Sequence, residues 1–259
     1  NTEDFIGRPT TSDDGRTIQD AGVMRRVLAY SRLVEAPVIA HCEDRCLVGE
    51  GVVNEGASAT RLGLPGNPGI AETVMVERDI LLAELTGAHL HVAHVSTAGA
   101  VAAIRRARER GVNVTAEVTP HHLTLCDEVA LGFDTHTKVA PPLRGAADVA
   151  ACRAGLVDGT LDAIATDHAP HAVHEKDQEF TLAPPGMIGL ETAVGVVLGL
   201  VREGLLSPLE LVRRLSTNPA RILRLQAMTR SGIKLVLGAD AVPVGRYSRA
   251  VLQNLAHDP

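Results

Sequence analysis

The stretch HLHVAHVSTAGAVAAIRRARERGVNVTAEV, running from His89 to Val118, decides the fold. Its two ends, His89 to Val95 and Val112 to Val118, are short runs rich in valine, while the segment from about Thr97 to Arg110 has helical length and stops at Gly111. A strand, a helix and a second strand in that order read as a parallel pair joined by a crossover. The alternation continues outward. Pro37 to His41 and Leu161 to Thr166 read as two further strands, and Pro68 to Thr86 as a helix closed by Gly87. Ser207-Pro208-Leu209-Glu210 is a capping box with proline at the first helical position, and Asn218-Pro219 is expected to open another helix. Arg105, Arg106, Arg108 and Arg110 lie at the negative end of a helix dipole and read as a solvated last turn. The fold class is therefore α/β, and 259 residues are enough for one barrel or for two smaller domains.

Composition removes several classes of function. The net charge of −6 offers no basic field for nucleic acid or for an anionic membrane surface. With no Trp, two Tyr and three Phe, the chain has few platforms for base stacking, and its core must be aliphatic. No apolar run approaches the roughly 18 residues of a membrane span, and the polar start Asn1-Thr2-Glu3-Asp4 is not that of a signal peptide, so a cytoplasmic protein is expected. Cys42, Cys46, Cys126 and Cys152 form no C-x-x-C pair and are expected to be reduced and mostly buried.

Ionisable residues gather where the expected strands end. His41 ends one, His94 lies near the end of the next, Glu117 and His121-His122 follow the third, and Asp167 follows the fourth. In parallel α/β folds ligand sites form at the carboxyl ends of the strands, where loops from different strands converge. Imidazoles and carboxylates together suit zinc or another borderline divalent ion, and a coordination position left to water suits hydrolysis. His89 and His91 lie on the same expected strand as His94, and the residue nearest the carboxyl end is preferred as a ligand.

The segments Ser12-Asp13-Asp14-Gly15, His41-Cys42-Glu43-Asp44, His94-Val95-Ser96-Thr97, Val118-Thr119-Pro120-His121-His122, Ala165-Thr166-Asp167-His168-Ala169-Pro170-His171 and Gly189-Leu190-Glu191-Thr192 resemble bacterial type I dihydroorotase, of the amidohydrolase superfamily. The resemblance implies a (β/α)₈ TIM barrel of the metal-dependent amidohydrolase type. Roughly its second half is represented, strands five to eight over residues 1–225, with the start of a small β domain over 226–259. It implies Zn²⁺, one or two ions per site: His41 and His94 as ligands of one, Asp14 as the carboxylate bridging to a second, and Asp167 touching the metal centre and acting as general base. Asp13 is the less favoured of the adjacent acidic pair. His171 is implied to bind the substrate carboxylate and the backbone of Pro185-Gly186 to meet the pyrimidine ring. His168 is expected to support its turn, and Glu175-Lys176-Asp177 to lie in a loop that closes over the site or merely solvates itself.

The implied reaction is the reversible hydrolysis of dihydroorotate to N-carbamoyl-L-aspartate, in pyrimidine biosynthesis. The implied partners are that small-molecule substrate, a second copy of the chain in a homodimer, and aspartate transcarbamoylase; neither nucleic acid nor a membrane is among them. Two features depart from the family pattern. The His-x-His strand that precedes Asp14 in the family is missing, from which a fragment or incomplete gene product is expected, and Ala140 stands where the family has a substrate-binding Asn before Pro141-Pro142. These motivate two alternatives: an inactive homologue serving as a scaffold for aspartate transcarbamoylase, and another cyclic amidase such as a hydantoinase.

Overall fold

The computed structural model describes residues 11–225, 234–237 and 240–243. In chain order the strands are β1 (Thr11–Ser12), β2 (Val38–Ala40), β3 (Val53–Asn54), β4 (Gly66–Asn67), β5 (Leu90–Val92), β6 (Val114–Val118), β7 (Ala163–Ile164), β8 (Lys234–Leu237) and β9 (Asp240–Pro243). Five of them form one sheet in the order β1-β2-β5-β6-β7, and every neighbouring pair is parallel. The four strands expected from the sequence are all present. β1 is an addition: two residues carry no readable alternation, and its place is fixed by pairing Thr11 with Val38 and Ser12 with Ile39.

Alternation gives this sheet two unlike faces. Val38, Ala40, Leu90, Val92, Val114, Ala116, Val118 and Ile164 point to one side and pack with Met24, Leu28, Met75, Ile80 and Ile104 of the flanking helices. That core is aliphatic, as the scarcity of aromatics requires, and burying a side chain such as Ile104 contributes about 2 kcal/mol. On the other face the register Ile39, His91, Thr115 runs across the sheet, so this side carries polar groups.

The helices follow their punctuation. Ile70–Thr86 ends at Gly87 with φ 67°, the left-handed conformation that glycine adopts without steric cost. Ala98–Glu109 starts on Thr97, whose side chain accepts a hydrogen bond from the Ala100 N–H. It lies against Ala146–Asp158 at Gly155, where an added Cβ would stand 2.9 Å from Val101 Cγ1. The arginine run lies in a largely exposed last turn, as expected, and there pairs with carboxylates: Arg105 with Asp158, Arg106 with Glu77, Arg108 with Asp162 and Arg110 with Glu84. The Ser207–Glu210 capping box forms as expected. Asn218-Pro219 does not open a separate helix, because a π-turn over Arg213–Thr217 joins Pro208–Val212 to Asn218–Ile222. Of the cysteines, Cys42 and Cys152 are buried, Cys126 is half-buried and Cys46 is exposed. β8 and β9 pair antiparallel, in keeping with short strands in the tail. Most of the expected 226–259 domain lies outside the described residues. No described helix is long and apolar enough to cross a membrane.

Candidate metal centre

Three strand ends meet at one point. The turn after β1 is shaped by its own polar atoms: the Asp14 N–H donates to Ser12 Oγ at 3.1 Å and the Gly15 N–H to Asp14 Oδ1 at 3.0 Å. Asp13 turns the other way. Its Oδ1 accepts from the His41 N–H at 2.7 Å and its Oδ2 from the Ile18 N–H at 2.8 Å, tying the end of β1 to the end of β2. Asp13 is thus a brace, and Asp14 is the residue whose carboxylate faces the histidines.

His41 Nδ1 and His94 Nε2 are 2.8 Å apart, and Asp14 Oδ1 is 3.6 Å from each. The imidazoles are buried and stand edge to face, with ring centres 4.6 Å apart at 75°, whereas Asp14 is exposed. Four ligands of a tetrahedral zinc held at about 2.0–2.1 Å stand about 3.3 Å from one another. Two of the observed separations already come within a few tenths of an ångström of this value, and the imidazole pair needs to open by about half an ångström. Two ring nitrogens and one carboxylate oxygen are also the donor types that such an ion takes. Among the described residues, this is the one group of three that brings ligand atoms this close.

The electrostatics favour a cation here. Burial works to lower the His94 pKa, but its hydrogen bond to Asp14 and the charges of Asp167, Asp14 and Glu117 raise it to about 9. Asp14 in turn is held below the usual carboxylate range, chiefly by its hydrogen bond to His94. Glu43 lies behind His41, with Oε2 3.7 Å from His41 Nε2 and Oε1 accepting from Asn67 Nδ2 at 3.0 Å. Burial opposes its charge, yet His41, Asn67 and Arg144 outweigh burial and lower its pKa. The motif containing Glu43 was visible in the sequence; its place behind the imidazole was not.

His94 has φ 32° and Asp167 has φ 47°, a region that non-glycine residues enter at a cost of about 1–3 kcal/mol. Both turn off their strands just beyond the sheet. Asp167 is half-buried and stands outside the three-residue cluster, though near enough for the charges of His94, Asp14 and Glu117 to act on it. Burial is the main cause that raises its pKa, and it makes the carboxylate a stronger base.

The expected substrate residues lie together in a second group. His171 Nε2 donates to the Pro185 carbonyl at 3.0 Å, and an added Cβ at Gly186, φ 141°, would stand 2.8 Å from the same nitrogen. The Gly186 N–H donates to the Lys138 carbonyl at 2.9 Å, which brings the strap beside Ala140. His168 takes the supporting part expected of it, its Nδ1 accepting from the Gly189 and Leu190 N–H groups. The charged loop is pinned. Lys176 is buried, with Nζ donating to the Thr135 and Pro184 carbonyls, and Lys138 Nζ donates to those of Phe180 and Thr181. Neither lysine gives a sequence signal for such burial, because the partners are backbone carbonyls.

Of the other histidines, His122 is held by Thr119 and the Pro141 carbonyl. His121 is buried, its Nε2 has no partner, and burial with the nearby charge of His94 lowers its pKa to about 3. His89 and His91 stay out of the cluster and bond instead to Thr115 and Glu117.

Residues 6–100 match the family model described as dihydro-orotase-like. The chain is 58% identical over 236 residues to a dihydroorotase of Pelotomaculum thermopropionicum, covering 91% of this chain and 54% of that protein. It is 60% identical over 220 residues to one of Anaeromyxobacter dehalogenans, covering 84% and 51%. The chain spans about half the length of these curated relatives. Among solved structures, a dihydropyrimidinase from Brevibacillus agri superimposes with a TM-score of 0.72 at 25% identity, over 90% of this chain and 53% of that one. An L-hydantoinase from Arthrobacter aurescens gives 0.73 at 23% identity, over 90% and 54%, and shows the fold alone. The architecture is that of the amidohydrolase barrel, about half of which this chain contains.

Proposed function

We propose that this chain, a relative of the dihydroorotases along nine-tenths of its length, carries the second half of a zinc-dependent dihydroorotase site. The observation that carries the reading is the meeting of Asp14, His41 and His94 at the carboxyl ends of parallel strands. Asp14, His41 and His94 would hold one zinc, and the exposed carboxylate of Asp14 would be open to a second ion. Zinc held there would supply Lewis acidity toward the amide carbonyl and would lower the pKa of water to about 7.

The remaining work falls to the chain's own groups. Asp167, made more basic by burial, takes a proton from the attacking water and returns it to the ring nitrogen as the amide opens. His171, whose Nε2–H is spent on the Pro185 carbonyl, would meet the substrate carboxylate through Nδ1–H as the imidazolium, on the edge that lies 3.8 Å from Glu175 Oε2. The Pro185-Gly186 backbone lies against the ring of the substrate, where any side chain at residue 186 would collide with His171. The Ala140 side chain offers no hydrogen-bonding group, so side-chain recognition rests on these neighbours. Dihydroorotate hydrolysis and N-carbamoyl-L-aspartate cyclisation, measured on zinc-loaded full-length protein against a panel of hydantoins, test the reading. Turnover of dihydroorotate in preference to hydantoins is expected. Preference for hydantoins, or no turnover with zinc bound, would overturn it.

A further inference from the structure

The polar face of the sheet carries an unbroken line of hydrogen bonds that the reading above does not use. His89 Nε2 and His91 Nδ1 each lie 2.8 Å from Thr115 Oγ1, and His91 Nε2 lies 3.1 Å from Glu117 Oε2. The line begins at His89, half-buried at the amino end of β5, and ends at Glu117, whose charge acts on both His94 and Asp167 at the carboxyl end. Burying such groups costs free energy that valine or isoleucine at the same strand positions would not incur.

For a neutral His91 beside an ionised Glu117, donor counting gives the line one direction. An ionised Glu117 accepts only, so His91 carries its proton on Nε2 and accepts on Nδ1. The Thr115 hydroxyl therefore donates to His91 and accepts from His89 Nε2–H. His89 is kept neutral chiefly by burial, which lowers its pKa to about 4.

We propose that His89, Thr115, His91 and Glu117 form a proton relay feeding the catalytic end of the sheet from its opposite end. The proposal rests on the dihydroorotase reading, because that reaction changes the proton count. In ring closure a C–N bond forms and a carboxylate C–O bond breaks; the oxygen leaves as water, taking one proton from the nitrogen and one from outside. The relay supplies the second. A solvent proton binds His89 Nδ1, the Nε2 proton moves to Thr115, the hydroxyl proton to His91 Nδ1, and the His91 Nε2 proton to Glu117 at the edge of the site. Hydrolysis releases one proton and runs the same hops in reverse.

The test uses zinc-loaded full-length protein. Thr115→Val keeps the shape and removes the hydroxyl, and Thr115→Ser returns it. The valine variant is expected to lose about tenfold or more in kcat for ring closure with KM unchanged, to recover in imidazole buffer, and to be matched by no such loss in the serine variant. Nitrogen-15 NMR should find His91 protonated at Nε2 and accepting at Nδ1, with the Nδ1 resonance displaced in Thr115→Val. A valine variant within about twofold of the parent, a loss that imidazole does not relieve, or a parent His91 protonated at Nδ1 would overturn the relay. A parent with no turnover would overturn the function instead, and the NMR result would still decide the order of the hydrogen bonds.

Discussion

Replacing Asp13 by alanine removes two acceptors at once. Its carboxylate takes the His41 N–H at 2.7 Å and the Ile18 N–H at 2.8 Å, the first of them on a residue only 7% exposed. A hydrogen bond to a charged group contributes about 1.5–3 kcal/mol, so the pair is worth about 3–6 kcal/mol. Partial re-solvation of the Ile18 N–H brings the expected loss for Asp13→Ala to about 3 kcal/mol, and Asp13→Asn, which keeps one oxygen, to about half that. Urea unfolding of the full-length protein should show the midpoint falling with the slope unchanged. The brace also sets Asp14 and His41 relative to each other, so zinc affinity should fall by about 10- to 100-fold in Asp13→Ala. A stability loss under about 1 kcal/mol, or zinc affinity equal to that of the parent, would refute the assignment of Asp13 as the brace.

Three further outcomes follow from the same contacts. Because the His94 pKa of the metal-free chain is raised from 6.5 to about 9, its stabilising contribution is fully present below pH 6.5 and is lost as pH rises through 9. Zinc must displace that proton, so calorimetry in buffers of different ionisation enthalpy should find about one proton released at pH 7, with affinity rising about tenfold per pH unit until 9. Gly186→Ala places a Cβ 2.8 Å from Ala169 O and His171 Nε2 at a φ that alanine resists, and should raise KM for dihydroorotate severalfold while leaving zinc content unchanged. Lys176→Met leaves the Thr135 and Pro184 carbonyls without their donor and should cost about 1–3 kcal/mol, read as a fall in Tm, with faster proteolysis near residues 173–186.

Much of the sheet was legible because its signals are local. The valine-rich run at 112–118 and the aliphatic run at 161–166 declare β6 and β7, and Gly87 and Gly111 declare where helices stop. The ligand triad was legible only through the resemblance: nothing near His41 in sequence states that His94 will stand 2.8 Å away, since that distance is set by β2 pairing with β5. The division of labour between Asp13 and Asp14 was half legible. Adjacent carboxylates point to opposite sides, so one faces the histidines, but the second one's hold on the His41 N–H depends on the register of β1 with β2. The pinning of the 173–186 strap could not be read, because Lys138 and Lys176 bond to main-chain carbonyls that every sequence supplies.

Asp14, His41 and His94 are proposed to bind one metal ion together. Zinc-edge absorption and anomalous diffraction on zinc-loaded full-length protein test it most directly. The account predicts a zinc ion with two imidazole nitrogens, His41 Nδ1 and His94 Nε2, at about 2.0–2.1 Å and an Asp14 oxygen at about 2.0–2.2 Å. A fully loaded protein whose zinc lies elsewhere, or whose shell lacks either histidine, would contradict it.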